Sequence, residues 1–361
     1  MNITLLYGGR SGEHEVSLLS AASVARHMPS VHALTLIGID HDGAWYLQPP
    51  KVLSDALSGD APLALVANPS ALVAAVPGKG LALLSGKFIP TDIVLPILHG
   101  TFGEDGTIQG LLETANLAYA GADVLGSAVG MDKEISKNIW SGAGLPVVPY
   151  CVARSGDLDP ERLARIQKDA EKSLGYPMFV KPACAGSSVG ASKVAGPDGL
   201  RAAIESALEW GTKAILEPFV TARELECSVV GNGDPVAFPP GEIVSTHEFY
   251  DYEAKYIDPN GAALVIPAPI PNETSAKIMD IAVRAYKAAS LSGMARVDFL
   301  LDKTNGNVFL NEANTIPGFT HISMFPKMCE AGGLTYPELL ERIALLGLER
   351  KRSRDAIRFA R

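Results

Sequence analysis

The sequence has few cysteines, no long apolar segment and no excess of basic residues. Its four cysteines are far apart and form no C-x-x-C pair, which argues against a zinc site and favours a reducing compartment. The apolar run at residues 3–7 is too short for a signal peptide, and the apolar stretch 62–76 is interrupted by Asn68 and Pro69. A formal net charge of −9 argues against a general nucleic-acid-binding surface. We therefore predict a cytoplasmic protein with neither a membrane nor a nucleic-acid partner.

Several catalytic and nucleotide-binding motifs are also missing. The sequence has no GxxxxGK[ST] and no GxGxxG, and it has neither G-x-S-x-G nor H-E-x-x-H. These absences argue against a P-loop nucleotidase, a serine hydrolase of the nucleophile-elbow type and a zinc metallopeptidase. An NAD-dependent dehydrogenase remains an alternative only because the chain opens like an α/β unit.

Glycine is abundant, with 35 in 361 residues and no repeat period. The length of 361 residues suggests about two or three domains, and apolar residues, 47% of the chain, suffice for sizeable cores. A strand at 3–7, a glycine turn at 8–12 and a helix at 15–28 open the chain, followed by strands at 31–39 and 92–98. This order predicts an α/β (α+β) fold in which many loops have special backbone geometry.

The most informative segment is a predicted hairpin formed by strands 295–302 and 307–314. If its turn centres on Asn305, Asp298 lies opposite Glu312 and Arg296 opposite Asn314, all on one face. The other face then carries the apolar side chains Val297, Phe299, Leu301, Phe309 and Ala313. Two opposed carboxylates repel each other unless a cation neutralises them, and carboxylate with amide oxygens suits Mg²⁺. The alternatives are an ordinary exposed hairpin, or a one-residue slip that places Asp298 opposite Asn311.

Two lysine-bearing segments indicate an anion site. Lys181 ends a predicted strand and precedes a glycine- and serine-rich loop, whose backbone N–H groups are suited to surround a phosphate. Lys133, in MDKEISK, would add charge to the same anion. A flexible surface loop and a surface lysine are the alternatives.

Other segments are more ambiguous. Gly8, Gly9 and Gly12, followed by Glu13, His14 and Glu15, suit either an anion or an ammonium group of a ligand, or simply a tight turn before a helix. We interpret His99 as a structural histidine, and the basic C-terminal residues from Arg350 onward as a solvated helix face. Segment 247–261 is a candidate lid.

Taken together, these segments resemble the D-alanine–D-alanine ligase family of the ATP-grasp superfamily. The matching stretches, in chain order, are GGRSGEHEVSLLSA, HGTFGEDGTIQGLLE, MDKEISK, FVKPACAGSSVGASKV, EFYDYEAKY, ARVDFLLD and NEANTIPGFTHISMFP. The resemblance covers nearly the whole chain. It implies a three-domain ATP-grasp fold, with a Rossmann-like N-terminal domain at 1–121, a central domain at 122–214 and a C-terminal domain at 215–361.

The resemblance also implies a reaction. The carboxylate of one D-alanine would attack the γ-phosphate of ATP, and the amine of a second D-alanine would attack the resulting acyl phosphate, yielding a precursor of peptidoglycan. Two Mg²⁺ (or Mn²⁺) ions and a homodimer are implied as well. Ligases of other amino-acid or hydroxy-acid specificity and a nucleotide-binding regulator without turnover remain alternatives.

Residue roles follow from motif positions. Residues implied around ATP are Lys133, Lys181, Ser188, Glu217, Val220, Glu224 and Lys255, the last also at the second carboxylate. Metal ligands would be Asp298, Glu312 and Asn314. Glu15 would hold the first ammonium group near His99, Arg296 and the Gly318 N–H would stabilise the oxyanion, and Ser323 would bind the second D-alanine. Tyr256 would link with Ser187 and Glu15 when the lid closes, and the EAKY form favours an amine nucleophile.

Overall fold

A computed structural model describes residues 1–186, 189–245 and 262–358. Its strands are β1 (Asn2–Gly8), β2 (Ala33–Ile39), β3 (Trp45–Leu47), β4 (Val73–Val76), β5 (Gly80–Leu83), β6 (Phe88–Ile89), β7 (Ile93–Ile97), β8 (Cys151–Arg154), β9 (Met178–Pro182), β10 (Ser192–Val194), β11 (Lys213–Pro218), β12 (Ala222–Gly231), β13 (Val236–Ala237), β14 (Gly241–Ser245), β15 (Ala262–Val265), β16 (Gly293–Asp302) and β17 (Val308–Asn314). Its helices are α1 (His14–His27), α2 (Pro50–Leu57), α3 (Thr107–Thr114), α4 (Val124–Met131), α5 (Lys133–Gly142), α6 (Pro160–Leu174), α7 (Pro197–Leu208), α8 (Asn272–Ala288), α9 (Met324–Ala331) and α10 (Tyr336–Asp355).

The first sheet has the strand order β3-β2-β1-β7, in which β1, β2 and β7 are parallel. Strands β1 and β7 are almost entirely buried, and most of their side chains are apolar. This is expected of parallel strands that are covered on both faces. The predicted strand–glycine turn–helix opening is confirmed. Helix α2 is missed by the sequence interpretation, which expected only short strands and turns between 55 and 90; β4, β5 and β6 in that region form a separate small sheet.

The central sheet is antiparallel, in the order β10-β9-β11-β8, and α6 and α7 share a core with it. Strand β11 pairs with both β8 and β9. The predicted boundary between residues 214 and 215 therefore falls inside a strand of this sheet, and the sheet extends to Pro218. The limits of the three domains otherwise stay a prediction.

The third sheet is antiparallel and runs β15-β14-β12-β16-β17. The hairpin of β16 and β17 has the predicted register at its site end, with Asp298 opposite Glu312 and Arg296 opposite Asn314. Beyond this point the register shifts by one, because Asn311 is an extra residue in a β-bulge. The placement of Phe309 on the core face is consequently wrong, and Val308 and Leu310 are buried there instead.

The C-terminal helix α10 packs against the first sheet, and its apolar residues share one core with β1, β7 and α1. The basic end of this helix is not simply a solvated face. Arg350 donates to the carbonyls of Tyr119 and Gly121 and its guanidinium lies 4.3 Å from the Tyr119 ring centroid. Arg354 lies 3.2 Å from Glu113. Across the described part of the chain, no helix combines the length and apolar character needed to cross a bilayer.

Candidate active site

The central and third sheets enclose a cleft into which strand ends and loops project polar side chains. Many of the residues predicted from the sequence line it, namely Lys133, Lys181, Glu217, Val220, Glu224, Arg296, Asp298 and Glu312. Asn314 lines a smaller neighbouring depression together with Lys133 and Glu312. The cleft is thus rich in both positive and negative charge.

The opposed carboxylates of the hairpin are each held by a cation. Arg296 donates from Nε and Nη2 to the two oxygens of Asp298, at 2.7 and 2.6 Å, and Asn314 Nδ2 donates to Asp298 Oδ2 at 2.9 Å. Lys133 Nζ lies 3.1 Å from Glu312 Oε2. Burial disfavours the charged guanidinium, but the neighbouring Asp298 and Glu226 outweigh it and raise the pKa of Arg296. The predicted repulsion between carboxylates is therefore offset by protein cations in this structure.

The bulge adds a residue to the cleft that sequence reasoning missed. Asn311 and Glu312 both line the cleft, and Asn311 Oδ1 accepts a hydrogen bond from Lys181 Nζ at 3.0 Å. Strict alternation along β17 would have turned Asn311 to the opposite face from Glu312. Only a signal for the bulge itself could have revealed this placement.

Glu217 lies between two lysines in the floor of the cleft. Lys137 Nζ is 2.6 Å from Oε1 of Glu217, and Lys181 Nζ is 2.9 Å from Oε2. Burial alone would raise the pKa of Glu217, but the two lysines lower it to about 2. Lys137 is the second residue missed by the sequence interpretation, although its position four residues after Lys133 on a helix puts both on one face.

The acidic residue beside the glycine loops at the cleft is Glu13, which immediately precedes α1, and not Glu15. Glu15 is 63% exposed and points at His41, 3.6 Å away. A side chain at Gly100 would come within 2.8 Å of Glu13 Oε2, and one at Gly186 within 3.2 Å. Residues two apart at a helix start point to nearly opposite sides, so both glutamates cannot face the same ligand. Glu15 therefore points away from these glycine loops and Glu13 points towards them, so the role predicted for Glu15 suits the position of Glu13 better.

The loop at 315–320 is held against the first sheet's loops by several hydrogen bonds. Ile316 N donates to Glu104 Oε1 at 2.9 Å, and its carbonyl lies 3.0 Å from His99 Nδ1. His99 Nε2 in turn lies 2.9 Å from Ser20 Oγ. The structural interpretation of His99 is therefore confirmed. Burial, aided by Glu13, raises the pKa of Glu104 to about 7.

Gly318 and Ser323 lie side by side at the end of this loop. A Cβ at Gly318 would come within 2.6 Å of Ser323 Oγ, which leaves no room for a side chain there. Ser323 Oγ accepts a hydrogen bond from Thr320 N at 2.9 Å. Four other predicted site residues, Ser187, Ser188, Lys255 and Tyr256, lie outside the described residues.

The chemistry of the hairpin donors suits a hard divalent cation. Asp298 and Glu312 present carboxylates from directly opposed positions, with the amide of Asn314 two residues along the strand from Glu312. Within 1–186, 189–245 and 262–358, no three His, Cys, Asp or Glu side chains converge as a preformed metal cluster. The donor set thus fits Mg²⁺ or Mn²⁺ bound jointly with a phosphate ligand rather than by a closed protein cage.

An α/β chain with lysines and opposed carboxylates in the cleft between its central and third sheets has the architecture of an ATP-grasp ligase. The family model described as "D-ala D-ala ligase N-terminus" matches residues 2–122, and "D-ala D-ala ligase C-terminus" matches residues 139–345. The chain belongs to the D-alanine–D-alanine ligase family. The fold class and the ATP-dependent ligase type that the motifs imply are thereby confirmed.

Relatives match over almost their whole length. The D-alanine–D-alanine ligase of Treponema denticola is 51% identical, covering 97% of this chain and 96% of the relative. D-alanine–D-alanine ligase A of Salmonella typhimurium is 42% identical, with 99% and 98% covered. Among solved structures, the ligase of Coxiella burnetii superposes with a TM-score of 0.83 at 33% identity, covering 98% and 96%. The VanG D-Ala:D-Ser ligase of Enterococcus faecalis gives 0.82 at 33% identity, covering 96% and 100%.

Proposed function

We propose that this protein joins two D-alanine molecules to D-alanyl-D-alanine at the expense of ATP, through a D-alanyl phosphate. A carboxylate needs this activation because its oxygen is a poor leaving group. The observation that carries the proposal is the cleft in which Lys133 and Lys181 face the opposed carboxylates Asp298 and Glu312. Product formation would serve peptidoglycan precursor synthesis, the role that belongs to the family.

The roles around ATP rest on cleft position and charge. Lys133 and Lys181 would contact the phosphates, since both line the cleft, where Glu312 and Glu217 hold their ammonium groups at 3.1 and 2.9 Å. Glu217 and the Val220 backbone N–H would meet the adenine, and Glu224 the ribose hydroxyls. Ser188 and Lys255 are proposed from their motifs alone.

Asp298, Glu312 and Asn314 would hold two Mg²⁺ or Mn²⁺ ions. Such ions would neutralise the phosphates as charge moves to the leaving ADP. Glu312→Gln is expected to abolish turnover and to weaken Mn²⁺ binding measured by electron paramagnetic resonance. Unchanged activity in this variant would contradict the metal assignment.

At the reacting end, Glu13 would hold the ammonium group of the first D-alanine. Arg296 and the Gly318 N–H would stabilise the oxyanion of the tetrahedral intermediate, because donors fixed where charge develops lower the barrier. Ser323 and Lys255 would bind the carboxylate of the second D-alanine. Tyr256 and Ser187 would belong to the closed lid, which would protect the acyl phosphate from water.

The identity of the second substrate is the most specific part of the proposal. The fold does not decide it, since the VanG D-Ala:D-Ser ligase superposes about as well as a D-alanine–D-alanine ligase. The EAKY sequence around Tyr256 favours an amine nucleophile. Incubation with ATP, Mg²⁺ and D-alanine, alone and against D-lactate or D-serine, should release phosphate and give mainly the D-alanine dipeptide. Phosphate release only with D-lactate or D-serine would contradict this specificity.

A competition assay on Tyr256→Phe tests the lid role separately. This variant is expected to keep its fold and to raise the share of D-alanyl-D-lactate. The assay is run at several pH values. A ratio of D-alanyl-D-lactate to D-alanyl-D-alanine that stays fixed across these pH values would contradict the role of Tyr256.

We also propose a homodimer in the cytoplasm, as the family resemblance implies. Analytical ultracentrifugation of the purified chain should give a mass near twice 38.0 kDa. Fractionation of the source cells should recover the protein with the cytoplasmic enzymes. A monomer at micromolar concentration would contradict the first expectation, and recovery with the membranes or outside the cells the second.

A further inference from the structure

Glu226 lies next to the proposed metal ligands but belongs to no motif that the sequence interpretation used. It is buried on β12, directly opposite Asp298 on β16, and Asp298 in turn is directly opposite Glu312 on β17. Three carboxylates thus form one row across three neighbouring strands. Such a row is destabilising unless cations share it, and Arg296 and Lys133 supply two.

Arg296 is shared between two of these carboxylates. Its Nε lies 2.7 Å from Asp298 Oδ1 and 3.0 Å from Glu226 Oε2. Asp298 Oδ2 already accepts hydrogen bonds from Arg296 Nη2 at 2.6 Å and from Asn314 Nδ2 at 2.9 Å. In this structure Asp298 is the principal partner of Arg296. In the proposed function Asp298 also binds a metal ion.

We propose that Glu226 is a positioning residue, which keeps Arg296 in the cleft when Asp298 turns its charge to the metal. The inference rests on the proposed roles of Asp298 and Arg296. A divalent cation at Asp298 withdraws negative charge from the guanidinium and repels it. Glu226 then supplies the remaining counter-charge, at the 3.0 Å already present.

The consequence for catalysis is preorganisation. An arginine side chain without a fixed partner would sample other rotamers, and its donors would no longer be aimed at the developing oxyanion. Glu226 also adds negative charge to the row of carboxylates. Because it shares the Arg296 guanidinium, Asp298 interacts less exclusively with that arginine. Both effects favour binding of a cation by Asp298.

The test compares Glu226→Gln and Glu226→Asp with a matched control, Glu242→Gln. Glu242 is equally a buried glutamate of the third sheet, with Arg223 donating to its two oxygens at 2.6 and 2.7 Å. It pairs with Leu225, the neighbour of Glu226, and so lies on the opposite face from the cleft. Both glutamine variants thus remove the charge of a buried glutamate whose arginine partner is partly exposed.

We expect Glu226→Gln to lower kcat about 10- to 100-fold with a KM for ATP within about threefold of the wild type, less than full loss of an oxyanion donor. Its Mn²⁺ affinity, measured by electron paramagnetic resonance with the full chain and a saturating non-hydrolysable ATP analogue, should fall about tenfold. Glu226→Asp retains the charge, so its Mn²⁺ affinity should stay within about twofold while kcat is intermediate. Glu242→Gln should change the melting temperature only.

Three outcomes would overturn the proposal. Unchanged kcat and Mn²⁺ affinity in Glu226→Gln, with a loss of melting temperature like that of Glu242→Gln, would make Glu226 a structural residue. Loss of one Mn²⁺ per chain would make it a metal ligand. Loss of Mn²⁺ affinity in Glu226→Asp would show that charge is not the cause. Failure of the proposed function would appear separately, as a wild type that binds Mn²⁺ but releases no phosphate with D-alanine.

Discussion

Lys137 Nζ lies 2.6 Å from Oε1 of Glu217, with the lysine side chain fully buried and the glutamate 4% exposed. Lys181 occupies the other carboxylate oxygen at 2.9 Å, so one buried anion is held between two cations. Burial lowers the pKa of Lys137, although Glu217 opposes this shift. The arrangement fixes the direction of Lys181, one of the two lysines proposed to contact the phosphates.

Replacing Lys137 by methionine should strongly destabilise the protein. The change leaves Glu217 with one of its two buried partners, and breaking a buried ion pair from one side costs about 3 to 5 kcal/mol. The double variant Lys137→Met/Glu217→Gln should recover part of this loss, because the buried charge is removed as well. Urea unfolding at neutral pH measures both.

A surface pair provides the control for this prediction. Lys51 and Asp55 lie 2.8 Å apart, with side chains 79% and 60% exposed. Lys51→Met should change the free energy of unfolding by less than about 1 kcal/mol. An effect of Lys137→Met no greater than that of Lys51→Met would show that the buried pair contributes nothing to stability.

The same pair predicts an acid-dependent loss of stability. The pKa of Glu217 is about 2 in the folded protein, below its ordinary value of 4.5. Its contribution is therefore complete above pH 4.5 and is lost as the pH falls towards 2. The free energy of unfolding of the wild type should fall across this window by about 3 kcal/mol more than that of Lys137→Met/Glu217→Gln. Urea unfolding at several pH values measures the difference, and parallel curves for the two proteins would contradict it.

Local patterns predicted much of the fold because they report directly on backbone geometry. The glycine turn after β1, the apolar spacing of α8 and the facing of Asp298 and Glu312 all follow from short-range periodicity, and each is observed. Phe309 is wrongly predicted on the core face because strict alternation of side chains does not allow for an inserted residue. The bulge that inserts Asn311 depends on how β17 pairs with β16, which is a tertiary property.

The candidate site was predicted less completely, and for a related reason. Motif positions suggested which residue types line the cleft, but not which of two glutamates in GEHE points inward. That choice depends on where α1 begins and on the loop around Gly100. Lys137 and Glu226 are missed because the sequence alone predicts that a charged residue on a helix or strand faces solvent. Only the packing of other segments shows that these two are buried.

Asn311 gives a prediction about nucleotide binding. Asn311→Ala removes the acceptor that Lys181 Nζ uses at 3.0 Å, and a hydrogen bond to a charged donor contributes about 1.5 to 3 kcal/mol. We expect the KM for ATP to rise about tenfold or more, with kcat affected less, since Lys181 keeps Glu217 but loses the Asn311 acceptor. Steady-state phosphate release at varied ATP measures the effect.

Asn305→Ala is the matched control, because Asn305 belongs to the turn of the same hairpin and is exposed. This variant loses hydrogen bonds within the turn but none in the cleft. Its KM for ATP should stay within about twofold of the wild type. Equal changes in the two variants would mean that Asn311 acts through hairpin stability rather than through Lys181.

The two glutamates of GEHE provide a direct test of which residue holds the first ammonium group. Glu13 lies against the positions of Gly100 and Gly186, whereas Glu15 is exposed beside His41. Glu13→Gln removes the charge proposed to hold the first ammonium group, and a charge-assisted hydrogen bond is roughly twice as strong as a neutral one. We expect kcat/KM for the first D-alanine to fall about 10- to 100-fold, against less than about twofold for Glu15→Gln. Initial rates at varied D-alanine and saturating ATP separate the two variants. A larger loss in Glu15→Gln would show that Glu15 binds the ammonium group. It would also require the exposed side of α1 to face the ligand.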